Sequence, residues 1–197
     1  MLKTKNKAAK GGLTTKHWLG YMFGDFGGCM TFALMASIFS MYCTNVLGVK
    51  ASVMGVLTII WTIWDAINDP IMGAIMDKAF ARNKNKRGKF RPWLLRATPL
   101  LAVTAIALWT VPTLLDGIPL LVALFSFKIL YEASYTMFNI PMGSLLSAMS
   151  TNDTERASLS SARGVGSMFG NMIPGMIGPA LVANKAKIDK GSVFWYK

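Results

Sequence analysis

The chain has 197 residues, 53% hydrophobic and 15% charged, with a formal net charge of +12. Its mean hydropathy of +0.41 lies outside the ordinary range of water-soluble domains and implies several membrane crossings. The lysines and arginines are grouped at the ends of apolar runs and are not interleaved with exposed aromatics. This pattern excludes nucleic acid as a partner and points to a lipid bilayer.

Residues 1–17 form a basic tail with lysines at 3, 5, 7, 10 and 16. The apolar run that follows is too long for a signal-peptide core and shows no convincing cleavage site, so it is predicted as a first membrane helix. Runs of the length needed to cross a hydrocarbon core occur near 18–43, 52–76, 93–112, 118–149 and 158–183, which predicts five spans. Residues 184–197, ending in Val193, Phe194, Trp195, Tyr196 and Lys197, are predicted as an external loop and the opening of a sixth helix. Cys29 and Cys43, about 21 Å apart on one helix, are too distant for a disulfide. His17 and Trp18 are placed at the interface. Gly20, Gly24 and Gly28 form a small-residue stripe on the first span, and the glycines and prolines of the fifth predict a kinked, closely packed helix.

The positive-inside rule sets the orientation. The N-terminal tail and the loop carrying Lys78, Arg82, Lys84, Lys86, Arg87, Lys89 and Arg91 are strongly basic, whereas Lys50 and Asp116 are the only charges in the opposite loops. The N-terminus is therefore predicted to be cytoplasmic, in a multi-pass protein of the cell membrane.

Asp65 and Asp69 stand out because an acid near mid-membrane costs about 2.5 to 3.5 kcal/mol on insertion scales and is a functional-site hypothesis by default. Four residues apart, they face the same way about 6 Å apart along the helix. A positive group must lie near them: a shared proton, a bound cation or a basic side chain from another helix. Depths estimated from the cytoplasmic ends put Asp25 at about 12 Å, Asp69 and Asp65 at about 10 and 16 Å, and Asn139 at about 15 Å, with Arg163 at about 9 Å reaching the same layer. That convergence predicts a water-filled polar cavity. A structural ion pair of Arg163 with Asp25 or with an aspartate of the second span is the plainer alternative. Lys128 and Glu132 are placed in the outer half, away from this layer, as an intrahelical pair that lowers insertion cost or contacts substrate. Trp61, Trp64, Tyr131 and Tyr135 could stack on a sugar ring, though aromatics in membrane segments more often serve packing or interfacial anchoring.

The run Trp64 to Pro70 with Ile71, Met72 and Gly73, followed by Arg87, Gly88, Lys89, Phe90, Arg91, Pro92 and Trp93, resembles the signature of the glycoside-pentoside-hexuronide cation symporters of the major facilitator superfamily. Tyr135, Thr136, Asn139, Ile140, Pro141, Gly143, Ser144 and Leu145 match a second motif, and Glu155, Arg156, Ala157, Leu159 and Arg163 a third. The resemblance implies an all-α, polytopic membrane helical bundle, here an incomplete N-terminal half of a fold of twelve helices. It implies sugar entry coupled by alternating access to the flow of Na⁺, Li⁺ or H⁺, with no cofactor. It assigns the cation to Asp65, Asn68, Asp69, Thr136 and Asn139, with Asp65 and Asp69 as Na⁺ ligands if the coupling ion is sodium. Asp25, Tyr135, Asn139 and Arg163 are assigned to the sugar. Melibiose carriers have aspartates where this chain has Asn139 and Cys29, so the neutral Asn139 is more like the glucuronide and xyloside carriers.

On this reading the chain is a fragment that does not transport without a C-terminal half. Two alternatives are a non-transporting truncated remnant and a membrane enzyme holding Mg²⁺ on an aspartate pair. The enzyme would need further acids around Asp77, where Lys78, Arg82, Lys84 and Lys86 stand instead.

Overall fold

The computed structural model describes residues 13–82 and 90–195, with side chains described as far as residue 180. Most of the predicted N-terminal tail, the loop residues Lys84, Lys86, Arg87, Gly88 and Lys89, and Tyr196 and Lys197 lie outside the described residues. The remainder is all-α: α1 (Thr15–Asn45), α2 (Ala51–Arg82), α3 (Arg91–Thr110) continued by a 3₁₀ turn (Val111–Leu114), α4 (Gly117–Met149) and α5 (Asp153–Trp195). Among the described residues, α1, α2, α3 with its 3₁₀ turn, and α4 are long and apolar enough to cross a membrane. The predicted fifth span is helical but falls outside that set, since Arg163, Asn171 and repeated glycines dilute its apolar content. Its backbone stays helical through Trp195, across the stretch predicted as an external loop, because no proline or glycine interrupts residues 181–190.

Local chemistry sets the helix ends. The Thr14 N–H donates to Nδ1 of His17 at 3.1 Å, which closes the start of α1 and gives the predicted interfacial histidine a capping role. At the other end Gly48, with φ of 68°, turns the chain so that Val49 N–H reaches the Cys43 carbonyl at 3.0 Å. Asn152 accepts the Thr154 N–H at 3.0 Å, and Asp153 and Glu155 in the first turn of α5 complement its helix dipole. Prolines lie inside α2 (Pro70), α3 (Pro99), α4 (Pro141) and α5 (Pro174, Pro179), each removing one backbone donor.

The closest packing is between α1 and α5. A Cβ on Gly170 would sit 2.6 Å from the Phe26 carbonyl oxygen, one on Gly166 would collide with the Met22 carbonyl, and one on Gly178 would stand 2.6 Å from Ile38. The contact points advance along both helices together, so α1 and α5 run parallel, backbone against backbone. The stripe predicted on α1 turns towards α4: a Cβ on Gly24 would stand 2.7 Å from Met142, and one on Gly28 2.6 Å from Phe138, while Gly20 has open space beside it. At the far end of the bundle an aromatic cluster joins α1, α2 and α3. Phe39 lies 5.6 Å from Trp61 and 5.8 Å from Trp109, and the Tyr42 hydroxyl donates to the Trp109 carbonyl at 2.9 Å. Phe80 packs edge-on against Phe90 at 5.1 Å and Trp93 at 6.1 Å, fastening the end of α2 to the start of α3.

One ion pair crosses the α1–α5 seam. Arg163 Nε donates to Asp25 Oδ1 at 2.8 Å, Asp25 is only 4% exposed, and Cys29 Sγ stands 3.6 Å from the other carboxylate oxygen. A Cβ on Gly143 of α4 would lie 3.8 Å from Arg163 Nη1, an ordinary van der Waals contact, so the guanidinium also lies against α4.

Two stability outcomes follow from this seam. Gly170→Leu forces α5 off the Phe26 carbonyl and lowers stability by about 2 kcal/mol, whereas Gly164→Leu, with open space beside it, is neutral in thermal unfolding of the detergent-solubilised protein. Arg163→Met strands a buried carboxylate and lowers stability by about 2 to 4 kcal/mol, and adding Asp25→Asn restores most of the loss in the same assay.

Candidate functional site

Helices α2 and α4 run side by side in the same direction, and their polar residues fall in register. Asp69 and Thr136 each lie about 20 Å from the end of their helix, and Asp65 and Glu132 each about 26 Å. Asn68 Nδ2 donates to Thr136 Oγ1 at 2.9 Å, and Thr136 Oγ1 donates to Asp69 Oδ1 at 3.0 Å. Asn68 and Thr136 are 4% and 7% exposed, so this chain of bonds fixes the hydroxyl, and among the described residues no hydrogen bond reaches the second oxygen of Asp69.

Beside the chain opens a cavity of about 390 Å³. Asp65 and Asp69 border it from α2, and Tyr135, Thr136 and Asn139 from α4. Phe32 of α1 closes one side by stacking on Tyr135 at 5.3 Å. Asn68 does not line the cavity; it acts on the cavity through Thr136. Of the predicted cation residues, four share the cavity and the fifth holds one of them in place.

The predicted sugar residues divide. Tyr135 and Asn139 line the cavity, whereas Asp25 and Arg163 do not and are turned to each other in the α1–α5 seam. Measured from the observed helix starts, Asp25 and Arg163 both lie about 15 Å in, the same depth.

Lys128 and Glu132 are the residues that sequence reasoning misplaced. Predicted to lie away from the aspartates, they border the same cavity. The error came from the end of α2. Its helix continues to Arg82, six residues beyond the predicted end, so the aspartates lie about 9 Å deeper than estimated. Lys128 pairs with Glu132 one turn along α4, and their side chains are 13% and 10% exposed. Trp61 and Trp64 bury their indole nitrogens without a hydrogen-bond partner among the described residues.

Oxygen atoms dominate the donor set: two carboxylates, a hydroxyl and an amide. Small hard cations accept such ligands, and transition metals favour nitrogen and sulfur. Among the described residues, no group of three His, Cys, Asp or Glu side chains is close enough to hold a metal ion. A cation at the aspartates therefore depends on Thr136 and Asn139 for its further ligands.

Comparison with known proteins gives this geometry a family. The chain is 36% identical over 156 residues to an uncharacterized symporter of Bacillus subtilis (strain 168), covering 79% of this chain and 33% of that protein. It is 32% identical over 164 residues to an isoprimeverose transporter of Lactiplantibacillus pentosus, covering 83% of the chain and 33% of the relative. It is 31% identical over 180 residues to a glucuronide carrier protein homolog of Escherichia coli (strain K12), covering 90% and 38%. The chain thus spans about a third of the length of the curated relatives it matches. The family described as "MFS/sugar transport protein" matches residues 20–196. Nearly the whole all-helical chain falls within that match, and this multi-pass membrane protein belongs to the MFS/sugar transport protein family of the major facilitator superfamily.

Proposed function

We propose that this chain supplies the ion-binding side of a symporter that moves a glycoside, pentoside or hexuronide together with Na⁺, Li⁺ or H⁺ by alternating access. The observation that carries this reading is the bonded chain Asn68–Thr136–Asp69 at the edge of a polar cavity inside apolar helices. It presents one carboxylate oxygen to the cavity with its neighbour already fixed, which is how a site for a small cation is preorganised. Asp65, level with Glu132, supplies the second carboxylate, and Asn139 and Thr136 the neutral oxygens. Sugar is the proposed solute because Tyr135 and Asn139 border the same space, offering a phenol and an amide as hydrogen-bonding groups. The names of the relatives support the same class. The basic residues of the N-terminal tail and of the α2–α3 loop support a cytoplasmic side for these segments by the positive-inside rule, in a protein proposed to reside in the cell membrane.

Alternating access requires the cavity to open to each side in turn. Cation and sugar would meet near mid-membrane, where desolvation strengthens the attraction between an aspartate and a monovalent ion.

In the full-length transporter reconstituted in proteoliposomes, Asp69→Asn abolishes ion-stimulated sugar uptake while membrane insertion and thermal stability stay near wild type. Thr136→Val weakens the ion dependence by roughly tenfold through loss of a ligand and of the Asp69 hydrogen bond. Ion-stimulated uptake that survives Asp69→Asn unchanged refutes the assignment.

A further inference from the structure

Lys128 and Glu132 are deep, charged and not used by the ion site just proposed. Had they served only to lower the cost of insertion, the pair would be closed on itself. It is not: Glu132 Oε2 is buried with no hydrogen-bond partner among the described residues, and the side chain borders the cavity together with Lys128, Tyr131, Asp65 and Asp69. The Lys128 ammonium is also held from outside its own helix, 5.7 Å from the centre of the Trp61 ring on α2 and 5.8 Å from that of Phe39 on α1. Asp65 stands level with Glu132 in the α2–α4 register, so Lys128 faces a carboxylate on each helix across one compartment. Three carboxylates and one ammonium share that space, and the second oxygen of Glu132 awaits a positive group.

We infer that Lys128 is a tethered counter-cation of the ion site, held between Glu132 and Asp65, where it competes with the mobile cation for Asp65 and so sets how tightly that cation is held. The inference rests on the proposed ion-binding role of Asp69. Lys128 is a positioning residue: its reach from α4 is fixed by the chain, and its occupancy of Asp65 depends on how strongly Glu132 holds it back. The charged and titratable groups facing it are Asp65 from α2, Glu132 on its own helix and the buried thiol of Cys43 from α1. Helix α3 carries Arg91 and Arg96 only, both at its opposite end, and Arg163 of α5 is engaged with Asp25.

Two substitutions move the ion dependence in opposite directions. The double variant Lys128→Met/Glu132→Gln removes the pair without altering net charge, so Asp65 is freed for the mobile cation. Glu132→Gln alone releases Lys128 onto Asp65 and withdraws that carboxylate. The readout is sugar uptake by the full-length transporter in proteoliposomes, titrated with Na⁺ and with Li⁺ at fixed pH and with pH in their absence. The concentration of driving cation at half-maximal uptake falls by about tenfold in the double variant and rises by about tenfold in Glu132→Gln, while the maximal rate changes less. Lys128→Arg, which keeps the charge, retains the wild-type value. Where the double variant does not fold, the rise in Glu132→Gln still decides the matter. Half-saturating concentrations unchanged in both variants, with Asp69→Asn inactive, overturn the inference and leave the ion site standing. Ion-stimulated uptake by Asp69→Asn removes the ion site itself, and the inference with it.

Discussion

A carboxylate cannot remain ionised in hydrocarbon without a partner, and the deep acids of this bundle are arranged under that constraint. Asp25 is met by Arg163, Glu132 by Lys128, and Asp69 by the hydroxyl of Thr136. The Arg163 and Thr136 contacts each join two helices, so partnering these carboxylates and assembling the helices are the same event. Asp65 is the exception: it has a cavity and an ammonium across it, and no direct hydrogen bond among the described residues. An acid left in that condition is a place where a mobile positive charge has a reason to come.

The bundle divides by how tightly its helices are held. Helices α1 and α5 approach until backbone meets backbone at Gly166 and Gly170, and the Arg163–Asp25 pair crosses the same seam. Helix α2 is attached more sparsely, through Asn68 and Asp69 on Thr136, through Trp61 on Phe39 and through the Phe80 cluster. Its opposite face presents Ile59, Ile63, Ile67, Ile71 and Ile75 to the outside, a stripe as apolar as lipid tails. Close packing on one side and a few polar contacts on the other set the cavity between a tightly packed wall and a sparsely attached one.

The main features of the fold were legible in the sequence because a run of about twenty apolar residues has few alternatives to a membrane helix. Each of the five apolar runs falls in a helix, and among the described residues the first four are long and apolar enough to cross a membrane. The glycines of the fifth predicted its close packing, though not that α1 would be the partner. The end of α2 was not legible. Residues Asp77, Lys78 and Arg82 look like a loop by polarity, yet they continue the helix with Ala79, Phe80 and Ala81 between them. That shift hid the alignment of Asp65 with Glu132 and made Lys128 seem remote. The Asp25–Arg163 pair was visible only as an alternative, because matching depths identify a layer and not which residues in it touch. Nothing in a single chain indicates that Arg163 turns towards α1 and away from α2; the partner it meets there is the buried carboxylate of Asp25.

Pro70 follows Asp69 directly, and its missing N–H leaves the Ala66 carbonyl without its usual helical partner. A helix bends most easily where its ladder is broken, so the bending stiffness of α2 is lowest in the turn that carries both aspartates. A pull on the Asp69 carboxylate is then a torque about its own weakest turn. The lever arm on either side is more than ten residues of otherwise continuous helix. A displacement of an ångström at the carboxylate is thereby amplified at both ends of the helix, a mechanical advantage set by the position of one proline.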